Sequence, residues 1–228
     1  MEIPRHEPLV WYAPGVEAHL LALGLEDLCA LAGDLSEPRL AALGVEVTRA
    51  RTRRLYRLAD APPGDDAWYV KLQLARASEL APRKWVSYAL QASPLLREAR
   101  AAAALRAIGL RTPELLATGA RGRFPRAVRA LLVTREVPNH VDLERFLRSA
   151  PPPARARLSI DAVEAAVARV HQAGFALGGA RYRNFLVPAS GAEHADDVLV
   201  LDAAGFGRGA RRRARDRGHL NLDRARFS

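Results

Sequence analysis

The chain has 228 residues, 49% of them hydrophobic and 26% charged, with a net charge of +10 at pH 7. That composition suits one soluble domain, or a two-lobed unit with a single cleft, and excludes a disordered or low-complexity chain. No apolar run reaches the roughly 18 residues of a membrane span, and Met1-Glu2-Ile3-Pro4-Arg5 is not a basic segment followed by an apolar one, so no signal peptide is expected and the default compartment is the cytoplasm.

A lone cysteine, Cys29, lies between Leu28 and Ala30 in a helical pattern and reads as a structural thiol, not a nucleophile. No Cys/His cluster has metal-ligand spacing. Of the 35 basic residues only Lys71 and Lys84 are lysine; the rest are arginine. Arginine is a planar fork and lysine a compact point charge, so a lysine kept against that bias needs a local reason. The positive field favours anionic partners: nucleotides, a phosphorylated glycolipid, a membrane surface or nucleic acid.

Residues 15 to 43 read as helical, with Val16, Leu20, Leu21, Leu23, Leu25, Leu28 and Leu31 at mixed three-four spacing, interrupted by Gly24, Gly33 and Pro38. From Val45 the pattern alternates through the basic Arg49–Arg54 run to Leu58. Pro62-Pro63-Gly64-Asp65 is a turn signal, and Trp68-Tyr69-Val70-Lys71-Leu72 follows as the second strand of a hairpin. Residues 76–92 are irregular. Ser93 and Pro94 open a helix from Leu95 to Ile108, which Gly109 stops. Thr112–Ala117 is a link and short strand, Ala130–Val137 a buried strand, Pro138-Asn139-His140 a hinge, Val141–Leu147 a short helix and Pro151-Pro152-Pro153 a loop. Leu158–Ala173 is a second long helix with Ile160, Val163, Val167 and Val170 on one face. The tail from Arg208 to Ser228 is arginine-rich; it reads equally as a contact for an anionic surface or as a solvated helix whose arginines pair with Asp216 and Asp223.

The chemistry lies near the end. Tyr182-Arg183-Asn184-Phe185-Leu186-Val187 is followed by an apolar strand, Val198-Leu199-Val200-Leu201, closing on Asp202. An Asn after a short loop and an Asp closing a strand are how kinase-like folds place two oxygen ligands on Mg²⁺-ATP. Upstream, Lys71 sits on a strand and Glu98 on the next long helix, in the order that presents a lysine to nucleotide phosphates and orients it by an ion pair. Taken singly, Lys71 could be a solvated strand-edge charge and Glu98 an ordinary helix charge; the ordered set is more specific. Five residues before Asn184, where such a loop carries the Asp that accepts the acceptor's proton, the chain has Gly179. His171 at the end of the second long helix reads as structural, and Gly205-Phe206-Gly207-Arg208-Gly209 does not open a clear βαβ unit and is discounted as a phosphate loop.

The segments Arg97–Arg100, Gly109–Glu114, Leu132–Val137, Val141-Asp142-Leu143 and Arg183–Val187 resemble the bacterial lipopolysaccharide kinase family, the Kdo/heptose kinases of the WaaP type, and the resemblance runs from about Val45 to Asp223. It implies a small kinase-like fold without a typical glycine-rich loop, using Mg²⁺-ATP to phosphorylate an inner-core sugar at the cytoplasmic face. It makes Lys71 the phosphate-binding lysine, Glu98 its partner, Asn184 and Asp202 the metal ligands, and Glu136-Val137 the backbone that meets adenine. The loop departs from the family's His-x-Asp-Leu-x-x-x-Asn: here it is Leu177-Gly178-Gly179-Ala180-Arg181-Tyr182-Arg183-Asn184.

The expected fold is therefore α+β and bilobal. A small N-lobe of residues 1–137, a β-sheet with one long helix, precedes a truncated helical C-lobe of residues 138–228. The expected function is binding of Mg²⁺-ATP with impaired or lost catalysis. The alternatives are an active kinase on an anionic sugar, lipid or protein with an unorthodox base, and a basic protein that binds a membrane surface or, less favoured, nucleic acid. The expected acceptor is a lipopolysaccharide or other lipid-linked sugar, and the expected location the cytoplasm or the inner face of the inner membrane.

Overall fold

The computed structural model describes residues 9–50, 52–62, 66–75, 93–121 and 128–227. The expected irregular segment 76–92 with Lys84, the tip of the Pro62–Asp65 turn and residues 1–5 lie outside them. The described residues form two compact units. One holds the chain up to Ala99 together with Glu114–Glu136; the other holds Arg100–Pro113 and the chain from Val137 onward.

The first unit is built on a six-stranded antiparallel sheet. Its strands are β1 (Leu9–Tyr12), β2 (Gly44–Ala50), β3 (Arg53–Leu58), β4 (Trp68–Ala75), β5 (Leu115–Arg121) and β6 (Val128–Arg135), in the order β1-β5-β6-β4-β3-β2. The period-two alternation of a strand sorts the side chains of β4 between two faces. Trp68, Val70 and Leu72 join Leu131 and Val133 of β6 in one core, which α1 (Val16–Ala22), α2 (Glu26–Cys29) and α3 (Glu37–Leu43) close with Leu20, Leu25, Leu28 and Leu40. The other face carries Ala130 and Leu132 of β6, covered by Leu95, Leu96 and Ala99 from the start of α4 (Pro94–Ala107). Lys71 stands opposite Leu132 in the ladder, which assigns it to the α4 face.

Two expectations are corrected here. The alternating stretch from Val45 to Leu58 is two strands, β2 and β3, paired as a hairpin with a register shift between Glu46 and Thr48. β2 is an edge strand with Val45 and Val47 exposed, so burial imposes no alternation that would mark its end. The helical region 15–43 is three short helices: α1 and α2 part at Gly24, φ 74°, as read from the sequence, and α2 and α3 where Leu31, Leu35 and Ser36 take left-handed backbone. There the Ser36 hydroxyl accepts the Leu28 amide at 3.1 Å.

The second unit has a three-stranded antiparallel sheet, β7 (His140–Asp142), β8 (Phe185–Pro188) and β9 (Leu199–Val200), with α5 (Leu143–Arg148), α6 (Pro153–Gln172) and α7 (Ala210–Phe227). Its core takes Ile160, Val163, Val167 and Val170 from α6, the face read from the sequence, together with Phe185, Val187 and Leu220. The short helix expected from Val141 starts at Leu143, because Val141 and Asp142 pair with Val187 and Leu186. The Asp142 carboxylate then caps the helix by accepting the Arg145 amide at 2.9 Å. Pro153, expected in a loop, is the first residue of α6, a position that tolerates a missing N–H. The strand expected over Val198–Asp202 is β9 alone; Asp202 leaves it at φ 41°.

Candidate functional site

In the first unit, Lys71 Nζ donates to Glu98 Oε1 in an ion pair between β4 and α4. The carboxylate is the more deeply placed partner, its side chain 10% exposed against 26% for the lysine. Ser93 opens α4, its hydroxyl near the Leu96 amide at 3.5 Å, which sets Glu98 one turn in from the helix start. A buried carboxylate is costly unless paired. Glu98 thus fixes the lysine, whose side chain remains partly exposed.

Glu136 closes β6. Its carboxylate accepts two bonds from Arg57, Nε at 2.9 Å and Nη2 at 2.6 Å, and one from the Tyr69 hydroxyl at 3.3 Å. The Arg57 bonds hold Glu136 below the usual glutamate range, whereas burial and then Glu136 itself push the Tyr69 phenol up. The Glu136 amide is donated to Ala67 O at 2.7 Å.

In the second unit the loop of interest follows α6. Gly174, at φ 82°, ends that helix, and Ala176 exchanges backbone bonds with Gly207 at 2.8 and 3.0 Å. Next comes the feature that sequence reasoning missed. Asp216 on α7 is fully buried, and its carboxylate accepts the amides of Leu177 at 2.8 Å, Gly179 at 2.8 Å and Ala180 at 3.1 Å. His171 Nε2 lies 3.2 Å from the same group. One helix turn pair later, Asp223 accepts the Tyr182 amide and an Arg181 Nη1–H, both at 2.9 Å. In one of the two readings of the tail these acids pair with the arginines of their own helix; they grip the loop instead. The signal was available in their spacing, since Asp216, Leu220, Asp223 and Phe227 recur at the four-three-four interval of one helix face. Burial, followed by Arg181 and Arg215, pushes His219 below the usual imidazole range.

Asn184 crosses the base of the loop. Its Nδ2 donates to Gly179 O at 3.0 Å, and its carbonyl accepts the Leu201 amide at 2.7 Å. That last bond sets Asp202, exposed and left-handed, beside the Asn184 backbone. Left-handed backbone is uncommon for a residue with a side chain, though Asp tolerates it, and it clusters at functional positions. A side-chain amide oxygen and a carboxylate are the kind of hard oxygen donors that Mg²⁺ prefers. Among the described residues no group of three or more His, Cys, Asp or Glu could hold a metal alone.

Gly178 and Gly179 differ. Gly178 is at φ 77°, and a Cβ there would sit 2.5 Å from Gly205 O. At Gly179 an added Cβ meets nothing within 4 Å. The loop is braced at its backbone and has room for a side chain where the sequence supplies none.

A family model described as the lipopolysaccharide kinase (Kdo/WaaP) family matches residues 43–228. A solved structure of WaaP in complex with acyl carrier protein is similar in fold, with a TM-score of 0.61 and 23% identity over 96% of this chain and 82% of that one. No curated protein matches.

Proposed function

Because the chain belongs to the lipopolysaccharide kinase (Kdo/WaaP) family, we propose that it is a pseudokinase-like lipopolysaccharide-core phosphotransferase homologue, which binds Mg²⁺-ATP and transfers phosphate weakly or not at all. The observation that carries this reading is Gly179. The loop around it is held by Asp216, Asp223 and Asn184, yet it presents no base. Bound Mg²⁺-ATP would supply the phosphoryl group and neutralise its charge. Lys71, held by Glu98, would bind phosphate oxygens; Asn184 Oδ1 and the Asp202 carboxylate would hold the metal; the Glu136 carbonyl and Val137 would meet the base.

Phosphoryl transfer depends chiefly on positioning and charge stabilisation, and a general base contributes about 10²–10⁴-fold. Loss of the Asp alone therefore leaves slow transfer within reach. The open space beside Gly179 favours a second reading, an active enzyme whose acceptor brings its own acidic group to take the hydroxyl proton. We also propose action on a lipid-linked core sugar at the cytoplasmic face of the inner membrane; among the described residues no helix is long and apolar enough to cross a membrane. The WaaP complex makes acyl carrier protein a partner to test.

The test is titration calorimetry with Mg²⁺-ATP on wild type and Lys71→Ala. Binding that the substitution weakens at least tenfold supports a working nucleotide site. No binding at millimolar ATP would overturn the reading.

A further inference from the structure

The hairpin of β2 and β3 precedes the strand that carries Lys71, and from Val45 to Leu58 it holds no glycine. In kinase-like folds a glycine-rich loop covers the nucleotide phosphates here. Backbone amides approach a phosphate most closely where side chains are absent, so this hairpin is not built for that device. It carries five arginines instead: Arg49, Arg51, Arg53, Arg54 and Arg57.

The described arginines differ in what they touch. Arg49 donates to both oxygens of Glu46, at 2.7 and 2.8 Å; Arg54 reaches Glu37 at 3.1 Å; Arg57 donates to both oxygens of Glu136. Arg53 is half-buried, and its side chain has no hydrogen bond or ion pair among the described residues.

The ladder register decides which way Arg53 faces. Residues directly opposite in an antiparallel pair share a face, as do residues two apart on one strand. Arg53 stands opposite Gln73, and Leu55 opposite Lys71; across β4 the next partners are Ala130 and Leu132. Arg53 and Lys71 are therefore diagonal neighbours on the α4 face, at the roughly 7–8 Å of such a diagonal. Arg54 belongs to the other face, with Tyr56, which is buried against Val70 and Leu72. The acids beside these cations are already engaged, Glu98 with Lys71 and Glu136 with Arg57. One row from a fixed lysine there is thus a guanidinium with no acid. The two differ in kind, a planar fork beside a point charge, and both suit phosphate oxygens.

We propose that Arg53 is a second phosphate-binding residue, which takes the part of the absent glycine-rich loop by holding phosphate oxygens next to those held by Lys71. Two cations one row apart serve adjacent phosphates, so the ligand is a polyphosphate; a nucleoside monophosphate would leave one of them idle. The identity of that ligand as ATP rests on the nucleotide reading; the anion site itself does not.

The experiment is titration calorimetry of the full chain with Mg²⁺-ATP and, separately, with inorganic tripolyphosphate. Arg53→Gln should weaken both by about 10–100-fold, as loss of charge-assisted hydrogen bonds to phosphate does. Arg53→Lys should weaken them less, since it keeps the charge and loses the fork. Arg54→Gln removes the same charge from the adjacent residue on the opposite face and should change either affinity by about twofold or less. Thermal unfolding of Arg53→Gln should match wild type, because the side chain has no bond to lose. A variant that melts well below wild type would make Arg53 structural and overturn the proposal. Equal losses for Arg53→Gln and Arg54→Gln would do the same, since net charge alone would then account for them. So would a loss seen only in Lys71→Ala, which leaves the nucleotide reading standing without Arg53. Wild type that ignores ATP yet binds tripolyphosphate through Arg53 would sink the nucleotide reading and support the anion site. Binding of neither would overturn both.

Discussion

Gly178 and Gly179 adjoin in sequence but have opposite tolerance for a side chain. At Gly178 the left-handed backbone and the Gly205 carbonyl together exclude a Cβ. Ala there must strain the backbone and displace the 205 segment, costs of about 1–3 kcal/mol. At Gly179 the space is open, and the residue's own amide and carbonyl are already fixed by Asp216 and Asn184. Gly179→Asp should therefore fold with unchanged stability. If the base is all that the loop lacks, it should raise transfer from ATP to a core-sugar acceptor by about 10²–10⁴-fold. Chemical denaturation of both variants and a phosphotransfer assay check this. A folded, ATP-binding Gly179→Asp with no gain would show that Leu177 and Ala180, where the family pattern has His and Leu, removed more than a base.

The loop's conformation belongs to α7, an element distant from it in sequence. Asp216 sits at zero exposure with three amides donating to it. Hydrogen bonds to a charged acceptor are about twice as strong as neutral ones, and a buried donor left unpaired costs about 1–3 kcal/mol. In Asp216→Asn one oxygen remains to accept and an NH₂ is turned toward amide donors. We expect a loss of about 2–4 kcal/mol in urea denaturation, and faster hydrogen exchange at Leu177, Gly179 and Ala180. Native exchange at these amides would mean the loop holds itself. This is also where the sequence was least legible. Strand alternation around Lys71, the Ser93–Gly109 helix and the buried face of α6 follow from local periodicity, and all are present. Lys71 and Glu98, expected to pair, do pair. The role of Asp216 is set by an acid meeting amides 36 to 39 residues away; helical spacing places it on one face with Leu220 and Phe227 but does not report which amides it meets. The β2–β3 hairpin was hidden for a different reason: a solvent-facing edge has no burial to write an alternation.

The whole molecule carries +10 at neutral pH, with 35 Lys and Arg against 25 Asp and Glu. Acidification removes the carboxylates first, so self-repulsion grows as the ion pairs that oppose it disappear. Glu136 is one such pair. Its folded-state pKa lies below its ordinary value of 4.5, chiefly through the Arg57 hydrogen bonds. Its contribution is therefore complete above 4.5 and is lost as pH falls through the lower folded value. Asp197, lowered first by the His194 amide and then by that of Glu193, loses its contribution in the same direction from its ordinary 3.8. Both carboxylates are partly solvated, which reduces what each contributes. Thermal unfolding followed from neutral pH down to about pH 3 should show Tm falling below about pH 5 in wild type. Glu136→Gln should unfold earlier at pH 7, and its curve should converge on wild type in acid, because by then wild type has lost the same charge. Added salt should flatten the acid limb of both curves by screening the excess positive charge. A gap between the two proteins that stays constant across the range would mean that Glu136 acts through packing and neutral hydrogen bonds alone, and that its ionisation contributes nothing to the fold.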